Sequence, residues 1–359
     1  MNGRPSYTLG QLLALCSVTA LTPALRLLPS FSAELAGQGA WLSILLALPF
    51  AALYGALLWR FGQTRAEGES IPALWRRAAG PQIGTFLLLL AALWLLFNAA
   101  FTLRDSAQRL IGTVYPYADR RLFILPLGLL AAAAASGDAR RLTRTAKLVL
   151  PLLVGAILLT LLFALPEIDP ENLLPHRIRG ADLLRGALPT FETACLILTL
   201  LFFLSDALTG ERRYRSVVLR LFLLGGLMAA LTAAVIGAFG HELTARLTQP
   251  YFSLVRDLVL FRTLERMEAL LVALWIFSDF LLSSSLLLIA RYFCEELLGR
   301  RSWTAVLLGA ASVTAACFLA PEAESFRLLS FRLVPRLNAA FCLLLIPGVF
   351  ALGQLRKKL

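Results

Sequence analysis

Charged residues are scarce in this chain. They make up 16% of the 359 residues, whereas hydrophobic residues make up 58%. A soluble globular domain is about one quarter charged and about half apolar. This composition excludes a soluble protein that carries a single anchor, and it places nearly the whole chain in lipid. The short stretches left between apolar runs leave no room for a large soluble domain.

The side chains that usually build metal and redox sites are also few. There are only two histidines, His176 and His241, and none of the five cysteines forms a C-x-x-C pair. We therefore expect buried cysteines, no zinc or iron site and no cofactor. The chain has no G-x-S-x-G sequence and no phosphate-binding loop, so nothing supports an enzyme. A net charge of +12 fits basic residues flanking membrane spans better than nucleic-acid binding.

The apolar residues are concentrated in ten runs, each a candidate membrane helix. The fourth is the weakest because it is short and rich in alanine. The runs cover residues 9–28, 41–61, 83–103, 121–135, 146–165, 187–204, 217–239, 269–293, 303–319 and 337–352.

Lys and Arg are biased towards one side of these runs. With the N-terminus in the cytoplasm, the inner segments carry 19 of the 34 basic residues on shorter loops. We therefore expect both termini to be cytoplasmic. The two long outer segments are residues 166–186 and 240–268. In the second, Leu254, Leu258 and Phe261 recur at helical spacing, which predicts an amphipathic helix that either lies on the membrane or covers a site.

Ten spans divide into two halves of five, and an odd number per half gives the halves opposite topology. Two halves of opposite topology are typical of an inverted repeat. We predict one polytopic membrane domain over residues 1–359, with repeats at about 8–165 and 181–353. In such folds the first helix of each half is often broken at the midplane. Pro23 and the stretch from Pro189 to Ala194 occupy those positions, although each is equally consistent with an ordinary proline kink.

Several segments are similar to one known family in order and spacing. They are residues 7–41, the loop 164–175 (ALPEIDPENLLP) followed by Arg185 to Thr190, the outer stretch 249–256 (QPYFSLVR), and residues 265–275. Over essentially its whole length the chain resembles the GerAB-type spore germination permeases. Relatives usually have glycines in the breaks of spans 1 and 6. Here Thr19, Ala20 and Thr22 precede Pro23, and Thr193, Ala194 and Cys195 stand in span 6.

The resemblance implies a fold, a function and partners. The fold would be all-α with ten transmembrane helices, the LeuT-like 5+5 inverted repeat of the amino acid–polyamine–organocation superfamily, with helices 1 and 6 broken. The function would be a germinant receptor subunit in the inner spore membrane, which binds a small germinant, expected to be an amino acid, and signals through A and lipoprotein C subunits. A proton- or cation-coupled amino acid transporter and a scaffold that binds no ligand are the alternatives.

Two carboxylates fall inside predicted spans, where unpaired charge is costly and marks function by default. Glu192 lies near the expected span 6 break and is a candidate ligand for an amine, a cation or a proton. Its structural alternative is an ion pair with Arg26 or Arg104. Asp279 and Ser283 in span 8 are candidates for a cation or proton site, since that helix often supplies cation ligands in LeuT-like transporters. The alternative is a polar helix seam.

The remaining candidates follow from the breaks and from span 3. Asn98 and Thr102 share one face of span 3, which lines the site in relatives, and interhelical hydrogen bonding is their alternative role. Arg26 is expected to extend outward to the interface, or else to bind a ligand carboxylate. The predicted ligand-binding residues are Thr19, Thr22, Pro23, Asn98, Thr102, Thr190, Glu192 and Thr193.

Overall fold

A computed structural model describes residues 6–174, 179–258, 267–299, 303–320 and 322–358. Two short strands pair in parallel, β1 (Tyr7–Thr8) and β2 (Leu208–Thr209). The first seven helices are α1 (Leu9–Ala36), α2 (Ala40–Gln63), α3 (Ile71–Ala79), α4 (Pro81–Thr113), α5 (Arg121–Ala135), α6 (Ala139–Ala164) and α7 (Gly180–Phe203). The others are α8 (Tyr214–Arg246), α9 (Pro250–Asp257), α10 (Met267–Leu298), α11 (Thr304–Phe318), α12 (Ala323–Leu328), α13 (Val334–Ala340) and α14 (Ile346–Leu355).

Each of the ten predicted runs falls on a helix. Within the described ranges, eight segments are long and apolar enough to cross a membrane, and α5 and α11 are shorter apolar helices. The prediction of an all-helical, polytopic membrane protein is therefore confirmed. Helix α1 lies at the centre of the bundle and packs against α6, α7, α8 and α10. This position explains why most of its apolar side chains are buried.

Neither α1 nor α7 shows the predicted break. The backbone is helical from Leu9 to Ala36 and from Gly180 to Phe203, so the prediction of two interrupted helices is wrong in this structure. A proline removes one helical hydrogen bond but does not force its neighbours out of helical geometry. Non-helical backbone at this depth is least costly for glycine, and both segments carry threonine and alanine instead. The Thr193 hydroxyl also donates to the Pro189 carbonyl at 2.9 Å, within the same helix.

The interruption in this bundle lies in α8. Gly240 has φ 72° and ψ 160°, so two helical pieces meet there at a kink. Glycine adopts this backbone without the clash that a Cβ would introduce. Gly225, in the same helix, packs closely against α2. A Cβ at this position would clash with the Leu48 side chain.

The last span is longer than predicted and contains two π-helical segments. The first, Leu329–Leu333, joins α12 to α13, and the second, Phe341–Leu345, joins α13 to α14. Each ends two residues before a proline, Pro335 or Pro347. A proline ring clashes with the carbonyl four residues earlier, and a wider turn relieves that clash.

Two short amphipathic helices complete the structure. Helix α3 was not predicted from the sequence. Its Trp75 is fully buried and packs edge-on to Phe203. The predicted outer helix corresponds to α9, which buries Tyr251, Phe252 and Leu254. It ends at Asp257, and Phe261 lies outside the described residues.

Candidate functional site

A pocket lies between α1, α4, α7, α10 and the last span. We call it the central pocket. Its polar lining residues are Arg26, Asn98, Thr102, Asp105, Arg109, Glu192, Thr193, Asp279, Ser330 and Asn338. Its apolar lining residues include Leu28, Phe31, Phe101, Leu196, Ile197, Leu282 and Val334. A mainly apolar pocket with a few polar groups is the usual form of a small-molecule site.

Four buried charges form one connected group, the charge cluster, at the side of this pocket. Arg26 Nη1 lies 2.6 Å from Asp105 Oδ1. Arg109 Nη2 lies 3.8 Å from Asp105 Oδ2 and contacts Asp279 Oδ2 more closely. The side chains of Arg109 and Asp279 are only 4% and 3% exposed. The cluster has no net charge, which makes its burial tolerable, and it joins α1, α4 and α10.

The sequence revealed only part of this cluster. Asp279 was a candidate, but Arg109 and the role of Asp105 were missed because the apolar run of span 3 ends at Leu103. Helix α4 continues to Thr113 and brings Asp105 and Arg109 one turn apart on the same face. The expectation that Arg26 extends outward is wrong, because this side chain is buried against Asp105. The i, i+4 spacing of an acid and an arginine was the available signal.

Glu192 is the one lining carboxylate of the central pocket without a partner. It is half-buried on α7, and no hydrogen bond or ion pair joins it to any residue in the described part of the chain. The charge of Arg336 on α13 acts on it from beyond ion-pair distance. The expected partners are engaged elsewhere. Arg26 pairs with Asp105, and Arg104 donates to the Leu319 and Ala320 carbonyls at 3.3 Å. The ionised groups of the pocket therefore sum to one negative charge when Glu192 is ionised.

Asn98 and Thr102, two of the predicted ligand-binding residues, line the same pocket. Asn98 Nδ2 donates to the Trp94 carbonyl at 2.9 Å, and Thr102 Oγ1 donates to the Asn98 carbonyl at 2.8 Å. Both side chains donate to carbonyls of their own helix, and their oxygen atoms remain available to accept hydrogen bonds from a ligand. The last span adds Asn338, which the sequence did not indicate as a pocket residue and whose Oδ1 accepts from Trp94 Nε1 at 2.8 Å.

Of the other candidates whose side chains are described, only Thr193 lines this pocket. Thr19 donates to carbonyls of its own helix, including Leu15 at 3.0 Å. Thr190 and Thr193 line a second cavity between α1, α7 and α8, and Thr193 alone belongs to both. Ser283 is fully buried, and its hydroxyl has no partner among the described residues. The side chains of Thr22 and Pro23 lie outside the described residues.

Comparison with known proteins agrees with this architecture. The sequence profile of the spore germination protein family matches residues 8–327. The chain belongs to this family. The match covers most of the sequence, and the resemblance to GerAB-type permeases is confirmed. No curated protein sequence matches the chain.

Solved structures show the fold of this family member. MhsT in complex with L-phenylalanine superposes with a TM-score of 0.70 at 13% identity, covering 99% of this chain and 93% of MhsT. A substrate-bound, outward-open Na⁺-coupled sialic acid symporter superposes with a TM-score of 0.64 at 13% identity, and the match covers 96% of this chain and 78% of the symporter. The chain therefore has the LeuT-like fold of these transporters. It is a permease-type membrane protein rather than an enzyme.

Proposed function

We propose that this permease binds a small zwitterionic germinant, an amino acid, in the central pocket and signals through A and C receptor subunits. The unpaired carboxylate of Glu192 carries the proposal, since it faces a pocket that also contains two guanidinium groups. A ligand ammonium would neutralise Glu192, and a ligand carboxylate would join Arg26 and Arg109 at the edge of the charge cluster. The apolar walls would contact the ligand side chain.

Signalling requires that the ligand bind one conformation more tightly than another. The charge cluster offers a route, because its ion pairs join α1, α4 and α10. A ligand carboxylate that competes for Arg26 or Arg109 would redistribute these contacts. The helices would then shift relative to one another, and the receptor partners would detect that shift.

A direct test measures thermal unfolding of the full-length protein in lipid nanodiscs with each of the 20 common L-amino acids. We expect at least one to raise the unfolding temperature of the wild type, and to have no effect on Arg26→Gln. Arg246→Gln is the matched control, since Arg246 lies at the far end of α8, outside the central pocket. If no amino acid stabilises the wild type, the ligand class is wrong. Co-purification with the A and C subunits tests the partners separately.

The alternative is a proton- or cation-coupled secondary transporter, which the fold of its structural neighbours favours. Asp279 and Ser283 remain the predicted cation or proton site. The Arg109 guanidinium already contacts Asp279, so a metal cation would have to displace it. Uptake of the stabilising amino acid into proteoliposomes, with and without an ion gradient, separates a transporter from a sensor.

A further inference from the structure

Two cavities meet at Arg220 on the side of the bundle away from the charge cluster. The first is an apolar groove between α1, α7 and α8 that is lined by Leu13, Ala20, Ala24 and Leu224. The second is a polar surface cavity where α1 and α8 begin, and it is lined by Thr8, Arg213 and Ser216. Leu13 and Arg220 line both. The two cavities therefore adjoin at these residues, and we call them together the α1–α8 groove.

The apolar part is long enough for one acyl chain. It follows α1 from Leu13 to Leu28. At 1.5 Å per residue this span is about 22 Å long, which exceeds the roughly 15 Å of one leaflet in a hydrocarbon core about 30 Å thick. Leu221 and Leu224 are half-buried on the wall formed by α8. The groove can therefore hold one acyl chain along most of its length.

The charge at the mouth of the groove identifies the headgroup. Arg220 is half-buried, and in the described ranges it has no ion pair and no hydrogen bond. Arg213 lies beside it in the polar part but is paired with Glu211 at 2.9 Å. An unpaired arginine at the junction of an apolar groove and a polar surface is complementary to an anionic headgroup with a hydrocarbon tail.

We propose that the α1–α8 groove binds an anionic phospholipid, with its phosphate at Arg220 and one acyl chain along α1. The deep end of the groove shares Leu28, Thr193 and Ile197 with the central pocket. The end of the acyl chain therefore lies against a wall of the ligand site. The lipid proposal does not rest on the proposed ligand of the central pocket, because none of the groove's charged residues belongs to that pocket.

Native mass spectrometry of the full chain tests this site with phosphatidylglycerol and phosphatidylcholine. The wild type should retain phosphatidylglycerol more tightly. Arg220→Gln should weaken that binding about fivefold, the equivalent of roughly 1 kcal/mol for one basic residue near a membrane surface. Arg215→Gln is the matched control, because Arg215 is exposed on the first turn of α8 and lines neither cavity. Its affinity should equal that of the wild type.

A second variant tests the acyl chain. Ala20→Phe fills the apolar part of the groove and should weaken the binding of both lipids. If Ala20→Phe does not fold, Leu224→Trp is the variant to use. Glycerol phosphate, which has the headgroup charge without a tail, should fail to displace phosphatidylglycerol. Displacement by glycerol phosphate at equal concentration would show an anion site without an acyl chain. Retention of phosphatidylglycerol by Arg220→Gln or by the filled-groove variant would equally overturn the proposal.

Discussion

Three acidic side chains line the central pocket, and their surroundings differ. Asp105 and Asp279 contact arginines, whereas Glu192 has no partner among the described residues. A buried charge without a partner is costly unless a ligand or water satisfies it. The structure thus separates carboxylates that hold helices together from one that is available to a ligand.

Replacing Glu192 by Gln should weaken binding of the stabilising amino acid at least tenfold. A hydrogen bond to a charged group contributes about 1.5–3 kcal/mol, and 1.4 kcal/mol corresponds to a factor of ten. Isothermal titration of the purified variant measures the change. Glu242→Gln, an exposed substitution on α8, should bind as the wild type does. Equal affinity of both variants would show that Glu192 does not contact the ligand.

Arg109 and Asp279 should behave as a coupled pair. Removing one partner of a buried ion pair leaves an uncompensated charge, at a cost of about 3–5 kcal/mol. Arg109→Gln and Asp279→Asn should each strongly lower the unfolding temperature in detergent. The decrease in the double variant should be much smaller than the sum of the two single decreases. Strict additivity would mean that the contact contributes no coupling energy.

At the scale of elements, the sequence predicted the spans better than their ends and interruptions. The ten apolar runs locate ten helical spans because burial in lipid requires them. Helix α4 extends beyond its apolar segment. Its charged residues Asp105 and Arg109 are neutralised there by partners on α1 and α10, which are distant in sequence. The kink at Gly240 and the π segments depend on local backbone geometry. Hydrophobicity does not encode such geometry.

The contact between α3 and α4 depends on the lack of a side chain at Gly84. A Cβ there would lie 2.6 Å from the Arg76 Cα, and a backbone atom cannot move aside cheaply. Gly84→Ala should destabilise the protein by about 1–3 kcal/mol, the usual cost of overpacking. Gly155→Ala on α6 meets nothing within 4 Å and should be neutral or slightly stabilising. Thermal unfolding of the two variants makes the comparison.

The turn between α2 and α3 should make stability depend on pH. Burial tends to raise the pKa of Glu69, but hydrogen bonds from Arg77 and the Ala66 amide outweigh it, so the net pKa is lowered. A lowered pKa means that the ionised carboxylate stabilises the fold at pH values above the unfolded-state pKa of about 4.3. This stabilisation is lost as the pH falls through the folded-state pKa. Glu69→Gln should cost about 1 kcal/mol at pH 7.

This loss should begin to shrink as the pH falls to the unfolded-state value of about 4.3, and it should disappear as the pH falls through the lowered folded-state pKa. Unfolding temperatures of both proteins across pH 3.5–8 measure the difference. Glu67→Gln is the control, since Glu67 is exposed in the same turn. A difference between Glu69→Gln and the wild type that stays constant with pH would contradict the assignment.

At the scale of the whole molecule, the sequence predicted a LeuT-like bundle, and the structure confirms that fold. The inverted repeats at about 8–165 and 181–353 and the cytoplasmic termini remain predictions, which rest on the odd number of spans per half and on the basic bias. The central pocket could be predicted only in part. Its charge cluster comes from residues 26, 105, 109 and 279, whose proximity depends on tertiary packing.

Sidedness can be measured directly with single cysteines in a chain whose five native cysteines are replaced. A cysteine at Glu67 should react with an impermeant maleimide only from the cytoplasmic side, and one at Glu171 only from the outside. Both positions are exposed. Labelling of the Glu171 position from the cytoplasm would reverse the topology, and labelling of both positions from one side would contradict an odd number of spans between them.

The pairing of β1 with β2 has a consequence for biosynthesis. Tyr7 donates a buried hydrogen bond to the Leu204 carbonyl, 197 residues further along the chain. At ribosomal speeds of about 5–20 residues per second, the start of the chain waits roughly 10–40 s for that acceptor to be made. Helix α1 therefore enters the bilayer long before its neighbours α7 and α8 exist. The first segment synthesised is among the last to reach its final surroundings, so the centre of the bundle closes late in assembly.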